Sequence, residues 1–180
     1  SIHWDIEKIN QTEMTEEAIF KCLSSKNPKA VDIGEYEVIL EPYATAELLG
    51  YLSYIGFSAK SMEEGRSFMV GNIGKRVMDE KVTIWDDGLD KNSIPLPFDF
   101  EGVPKKKVVI IEDGIARTPV YDSYYAKKTN VLNTGHALPA PNTIGPYALN
   151  LFMKTGKSSI NEMIKNVKKG ILVTRFWYTN

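Results

Sequence analysis

The residues best suited to chemistry lie in two irregular loops. The first loop, Pro95–Pro104, contains three prolines and carries Asp99 and Glu101. The second loop, Asn133–Asn142, carries His136 beside a glycine. Rigid loops of this kind frequently position binding and catalytic side chains. His136 is the strongest single candidate, because an imidazole exchanges protons near neutral pH.

Each of these candidates also has a structural interpretation. Asp99 and Glu101 are two residues apart, so on an extended chain their carboxylates point the same way, as a general acid and base would. Carboxylates that accept hydrogen bonds in tight turns explain the pair as well, and we favour that interpretation. An isolated histidine such as His136 is more often a hydrogen-bonded structural residue than a catalyst. Spacing alone therefore defines no catalytic constellation.

Four further patterns are weaker candidates. Asp86-Asp87 could bind a hard cation, but Asp-Asp-Gly is more typical of a hairpin turn. Gly71–Lys75 has the wrong glycine spacing for a phosphate-binding loop. Cys22 is expected to be a small buried apolar residue rather than a nucleophile. Lys105–Lys107 is expected to be the solvated approach to a strand.

Composition excludes several classes of function. The 180 residues include 22 Lys and Arg against 23 Asp and Glu, for a net charge of −1. Such a chain has no overall field to attract nucleic acid or an anionic membrane, so neither is expected as a partner. One cysteine cannot form an internal disulfide, which favours the cytoplasm. Two histidines and one cysteine are few for a zinc site, which usually takes three or four N or S ligands. We expect no metal and no cofactor.

The elements that must position these loops are readable from periodicity and turn residues. The first half predicts a helix over Thr12–Ser25, a strand over Tyr36–Leu40 and a second helix from Pro42 to about Phe57. The second helix is expected to bury a stripe of five apolar residues: Ala44, Leu48, Leu49, Leu52 and Ile55.

The second half is dominated by strand and turn signals. A strand over Lys81–Trp85, another near Leu149–Met153 and a hairpin around Glu112-Asp113-Gly114 are predicted. Ser159 and Glu162 form a capping box for a C-terminal helix, and a last strand follows over Ile171–Tyr178. We therefore predict an α+β fold: a mostly antiparallel sheet, a buried helix at about residues 43–57 and a C-terminal helix–strand unit.

The order of short segments resembles one known family. From about Asp32 to the last residues, the chain resembles the TldD/PmbA family, also called the modulator of DNA gyrase family, and within it the PmbA (TldE) branch in its archaeal form. The segments that carry the resemblance are Val38–Pro42, Leu48–Gly50, Gly65–Phe68, Gly74–Val77, Val82–Ile84, Asp86–Gly88, Pro97–Pro104, Glu112–Gly114, Tyr121-Asp122, Thr134–His136 and Val167–Val173.

The resemblance implies a role in the hydrolysis of peptides and partly unfolded polypeptides. In the family, a TldD subunit carries His-Glu-x-x-x-His on a helix, with a further cysteine ligand nearer the C-terminus, and it typically pairs with a TldE subunit. Here Gly50 takes the place of the first His, Tyr51 of the Glu and Ile55 of the second His. Glycine and isoleucine offer no ligand atom, and tyrosine is a poor general base near pH 7. The resemblance thus implies a zinc-free subunit with a TldD-type partner.

The sequence leaves two other functions open and also predicts a domain division. The chain could be an active peptidase with another site, for which His136, Asp99 and Glu101 are the only candidates. It could also be a purely structural assembly module or associate with itself. Residues 1–32 are expected to end an N-terminal domain or linker, and residues 33–180 to form the family's C-terminal domain, truncated at its C-terminus. The chain is therefore expected to be a fragment.

Overall fold

Residues 5–176 are described by the computed structural model, and within them six strands form two sheets. The end of the predicted last strand, from Trp177, lies outside the described residues. The mixture of helices with a mainly antiparallel sheet confirms the predicted α+β class. The strands are β1 (Glu37–Leu40), β2 (Ile84–Asp86), β3 (Val108–Glu112), β4 (Ile115–Ala116), β5 (Leu151–Met153) and β6 (Gly170–Val173).

The larger sheet is antiparallel and has the strand order β4-β3-β2-β5. Its hairpin joins β3 to β4 through Asp113 and Gly114, whose φ angles are 47° and 78°. Positive φ at both positions is the type I′ geometry that two-residue hairpin loops prefer. A Cβ atom on Gly114 would lie 2.3 Å from the Met78 carbonyl oxygen, so glycine is required there. The predicted hairpin is confirmed, although β4 has only two residues.

The smaller sheet joins distant parts of the chain. Strand β1 runs parallel to β6, with Val38 opposite Ile171 and Leu40 opposite Val173. A helix over Ile160–Asn166 precedes β6, and its N-terminus has the predicted capping box. The Ser159 side chain accepts from the Glu162 amide while the Glu162 carboxylate accepts from the Ser159 amide. The predicted C-terminal helix–strand unit is therefore confirmed.

The helices are α1 (Gln11–Ser24), α2 (Pro42–Ile55), α3 (Ala59–Glu63), α4 (Ser123–Thr129) and α5 (Ile160–Asn166). Helix α1 begins at the N-cap Asn10, whose side chain accepts a hydrogen bond from the Glu13 amide. No residue of α1 is buried, and Cys22 is exposed. The prediction that Cys22 is buried was wrong, because the apolar side of α1 does not pack on the core.

Helix α2 packs on the core with a narrower face than predicted. Leu49 and Leu52 pack against the core, and Ala44 is fully buried. Leu48 and Ile55, by contrast, are 38% and 45% exposed, so their place in the predicted buried stripe was wrong. The remaining buried position on α2 is Ser53, whose hydroxyl donates to the Ala148 carbonyl at 2.9 Å. That bond explains how a polar residue occupies the buried side.

The core lies between the larger sheet and the segment that follows α2. Phe57 and Met69 are completely buried there against Ile84, Ile110 and Ile111. The Phe57 and Phe68 rings meet edge to face with centroids 6.1 Å apart. This core fixes β2 and β3, which the first candidate loop connects, while the second candidate loop lies between α4 and β5.

Candidate functional site

The two loops singled out in the sequence are joined by Asp99. Its Oδ1 accepts hydrogen bonds from the amides of Glu101 and Val103 at 3.0 and 2.9 Å, and its Oδ2 accepts from the Ala137 amide at 2.9 Å. The Asp99 residue is 4% exposed. A buried carboxylate with three amide donors fixes backbone geometry, and its oxygens are not turned toward a substrate. Asp99 therefore positions both loops.

A cleft of about 480 Å³ opens where these loops meet the start of α4. We call it the loop cleft; its walls include Lys60, Phe100, Glu101, Asp122, Tyr124 and Leu138. Glu101, one of the predicted candidates, thus lies at a concave surface, whereas Asp99 is beneath it. Concave sites with apolar walls and a few polar groups are where ligands usually bind.

Asp122 faces the loop cleft and was missed by the sequence reasoning. Its Oδ1 caps α4 by accepting from the Tyr125 amide at 2.8 Å. Burial raises the pKa of the Asp122 carboxyl, and the negative charge of Glu101 raises it further, although the Tyr125 amide opposes both. The sequence does contain a capping signal for α4. Asp122 is a favourable N-cap, and Asn130, which takes a positive φ angle, is a residue that commonly ends a helix.

His136 is part of a separate, buried network. Its Nε2 lies 2.9 Å from Asp86 Oδ1, and both side chains have no exposed surface. Its Nδ1 lies 3.0 Å from Thr134 Oγ1. Since an aspartate oxygen can only accept, Nε2 carries the proton of that hydrogen bond. By residue type, Thr134, His136 and Asp86 match the nucleophile, the general base and the orienting carboxylate of a catalytic triad.

The Thr134 hydroxyl is, however, already occupied by the backbone. It accepts from the Tyr121 amide at 2.7 Å and donates to the Tyr121 carbonyl at 3.0 Å. A nucleophile needs access to a substrate carbonyl, and His136 has no exposed ring atom with which to assist it. The arrangement therefore joins the second loop to the core and has no open reaction site.

The structure corrects the predictions that Asp86 lies in a turn and that Lys105 is solvated. Asp86 belongs to β2 rather than to a turn, and it is completely buried. Its Oδ1 lies 3.2 Å from the Lys105 ammonium, which is also buried and was predicted to be solvated. The Asn150 amide donates to Asp86 Oδ2 at 2.7 Å, and the Asn150 side chain accepts from Lys105 at 3.0 Å. A buried lysine needs such a counter-charge and acceptor.

The pKa of Asp86 follows from this environment. Burial acts to raise it, but the hydrogen bond and charge of His136, the Lys105 ammonium and the Asn150 amide together outweigh burial, so the pKa lies below its ordinary value. Asp86 therefore holds its negative charge inside the protein as part of the scaffold. Asp87, its neighbour, caps a turn by accepting from the Leu89 amide at 3.1 Å.

The positions that correspond to the family zinc motif lie on α2. Tyr51 and Ile55 are each 45% exposed, and a Cβ atom on Gly50 would meet no atom within 4 Å. Gly50 also lines a groove of about 260 Å³ with Tyr147 and Leu151. Across residues 5–176, no three His, Cys, Asp or Glu side chains come together to hold a metal ion. The residues at this place do not fit a zinc ion.

The chain belongs to the family described as the PmbA/TldA metallopeptidase C-terminal domain. The family model matches residues 33–180. The zinc metalloprotease TldD homolog of Saccharolobus solfataricus is 33% identical over 178 residues, which cover 93% of this chain and 38% of that protein. The resemblance read from the ordered segments is thereby confirmed.

Two solved structures have the same fold. A protein from Thermotoga maritima, whose name refers to modulation of a DNA gyrase, has a TM-score of 0.85 and 26% identity over 96% of this chain and 40% of its own. TldE from Thermococcus kodakarensis has a TM-score of 0.82 and 27% identity over 93% of this chain and 39% of its own. The chain thus spans about two fifths of the length of these relatives.

None of the helices within residues 5–176 has the length and apolar character required to cross a bilayer.

Proposed function

We propose that the chain acts as a PmbA/TldE-like, zinc-free partner of a TldD-type zinc peptidase, in the hydrolysis of peptides or unfolded polypeptides. The observation that carries the proposal is the replacement of the zinc ligands and base on α2. Gly50 and Ile55 have no ligand atom, and Tyr51 is a phenol where a carboxylate would activate water. Membership of a metallopeptidase family supports the proteolytic context.

The exposed face of α2 supports the pairing with a second subunit. Leu48, Tyr51 and Ile55 are three to seven residues apart and therefore share one side of the helix. All three are more than one third exposed. Apolar side chains that cluster at a surface are typical of protein interfaces. Since the chain spans part of its relatives, this pairing is proposed for the whole protein.

An independent active site in this chain is less well supported. His136 is sealed from solvent and Asp99 is fully occupied by amides, which leaves Glu101 as the one accessible member of the predicted set. A net charge of −1 gives no support to nucleic acid as a partner. A purely structural role would predict association with the partner without any effect on hydrolysis.

The test is a reconstitution with unfolded casein. The chain is incubated alone, with a TldD-type subunit carrying His-Glu-x-x-x-His, and with that subunit after its Glu is changed to Gln. The TldD-type subunit by itself is the reference sample. Of the three samples that contain the chain, we expect cleavage only in the second, at a rate above that of the reference, with zinc bound only to the TldD-type subunit. Cleavage by the chain alone, or stoichiometric zinc on it, would contradict the proposal. Association without a change in rate would identify an assembly module.

A further inference from the structure

The loop cleft is preformed by contacts beneath it. Asp99 fixes the backbone of both loops, and Tyr147 N donates to the His136 carbonyl at 2.9 Å behind them. The cleft floor is thus attached to the buried network of Asp86. A cavity whose walls are held by buried hydrogen bonds loses little conformational entropy when a ligand enters, which favours binding.

Among the described residues, no cation is paired with the carboxylates of the loop cleft. Within residues 5–176, neither Glu101 nor Asp122 forms an ion pair, although each lines the cleft. Lys60 lies on the same wall, but its ammonium is 3.5 Å from Glu64 and donates to the Thr143 carbonyl. Glu101 uses one oxygen, Oε2, to accept from the Ser123 amide at 3.1 Å. Its Oε1 has no hydrogen-bond partner among the described residues.

Two aromatic rings stand beside these carboxylates. Phe100 is 55% exposed and Tyr124 is 62% exposed, and both line the cleft. The Lys128 ammonium, which pairs with Glu63, lies 5.6 Å from the centroid of the Tyr124 ring, whereas no cation of the described residues lies over the Phe100 ring. Large rings left in water next to negative charge are suited to a ligand with an apolar stem and a cationic head. Burial and, to a smaller extent, the charge of Glu101 raise the pKa of the Asp122 carboxyl, and a bound cation would offset the part that comes from Glu101.

A metal ion fits this site poorly. Calcium takes six to eight oxygen ligands and magnesium demands octahedral geometry. The cleft offers two carboxylates, one of which already caps α4 and the other of which holds the Ser123 amide. An organic cation needs only one or two charge-assisted hydrogen bonds and contact with the rings. The chemistry of the cleft therefore favours an ammonium or a guanidinium.

We propose that the loop cleft binds a cationic group of a polypeptide, with the Glu101 carboxylate as its main acceptor, Asp122 as a second negative charge, and Phe100 and Tyr124 in contact with the apolar part. The cation is either an N-terminal ammonium or a Lys or Arg side chain. That the ligand is a polypeptide rests on the proposed function. The loop cleft would then hold substrate on this subunit.

The probes are three short peptides titrated into the full chain by calorimetry. All three are C-terminal amides: tetra-alanine with a free N-terminus, N-acetyl-tetra-alanine, and an N-acetyl-tetrapeptide with one lysine among alanines. We expect at least one cationic peptide to bind, and N-acetyl-tetra-alanine not to bind. Binding of the first peptide alone assigns the N-terminus, and binding of the third assigns a side chain. Affinity should fall as salt is raised, because both partners are charged.

Two isosteric variants test the acceptors. Glu101→Gln should weaken binding of the cationic peptide by about tenfold, since a charge-assisted bond is replaced by a neutral one. Asp122→Asn should also weaken it, and asparagine still caps α4. Glu112→Gln is the matched control, because Glu112 is an exposed glutamate on the β3–β4 hairpin. Equal binding by Glu101→Gln and the parent chain would overturn the proposal, as would binding of the neutral peptide or of none.

The readouts separate this proposal from the proposed function. Peptide binding is measured on the chain without a TldD-type subunit, and reconstitution is measured as casein cleavage. If cleavage is stimulated and no cationic peptide binds, the loop cleft proposal alone is wrong. If cationic peptides bind and cleavage is not stimulated, the partner role is wrong and the proposal for the loop cleft still holds.

Discussion

The His136 ring donates from Nε2 to Asp86 Oδ1 at 2.9 Å, across fifty residues of sequence and with neither side chain exposed. The same carboxylate oxygen faces the Lys105 ammonium at 3.2 Å. One buried negative charge thus joins β2, the end of the first loop and the second loop. His136, the strongest catalytic candidate in the sequence, is therefore a structural partner of the Asp86 carboxylate.

Removal of the Asp86 charge should destabilise the fold strongly. In Asp86→Asn the Lys105 ammonium remains buried without a counter-charge, which costs about 3–5 kcal/mol of unfolding free energy. Asp87→Asn is the matched control; asparagine can still accept from the Leu89 amide, so a change within about 0.5 kcal/mol is expected. Urea unfolding measures both variants. Equal stability of the two would show that Asp86 does not stabilise the fold.

Stability should also depend on pH through Asp86. Its pKa in the fold lies below the ordinary value of 3.8, so the folded state binds fewer protons than the unfolded state in this range. The stabilisation is present above about pH 4 and is lost as the pH falls through the lower, folded pKa. Unfolding of the parent and of Asp86→Asn, measured between pH 7 and pH 2, should converge in the acid range. Parallel curves would contradict this assignment.

Asp99 should prove to be a positioning residue for the loops. Asp99→Ala leaves the amides of Glu101, Val103 and Ala137 without this acceptor. Only the bond to the Ala137 amide is buried, and an unmet buried donor costs about 1–3 kcal/mol. We expect a marked loss of stability and faster hydrogen exchange at the Ala137 amide. Glu101→Gln is the control, because glutamine can still accept from the Ser123 amide. Unchanged exchange at Ala137 would show that the loops are joined by other contacts.

Local signals in the sequence predicted the local structure well. The capping box at Ser159 and the turn at Asp113-Gly114 depend on neighbouring residues and are present as expected. The cleft depends on contacts between distant residues, such as Asp99 with Ala137, which no periodicity reveals. Lys105 was misassigned for the same reason: in a run of three lysines nothing marks the one that is buried against Asp86. Short α4 was missed although Asp122 carries its capping signal.

Coupling between the two cleft carboxylates can be measured directly. Glu101→Gln removes one cause of the raised Asp122 pKa, whereas burial, the larger cause, stays. The pKa of Asp122 should therefore fall in the variant and yet remain above its ordinary value. Carbon-detected NMR titration of the Asp122 carboxyl measures this, with Glu112→Gln as the control. An unchanged pKa in Glu101→Gln would show that the two groups do not interact.

Substitution by alanine should have opposite effects on stability at Gly50, within α2, and at Gly56, directly after it. In Gly50→Ala the added Cβ meets no atom within 4 Å, so the helix should gain about 0.5–1 kcal/mol of stability. In Gly56→Ala the Cβ would lie 2.7 Å from the Phe68 ring and 3.1 Å from the Leu52 carbonyl, so stability should fall. Thermal unfolding separates these outcomes. If Gly50→Ala raises the melting temperature but weakens association with a TldD-type subunit, α2 approaches the partner closely at this position; unchanged association would place the interface elsewhere on the chain.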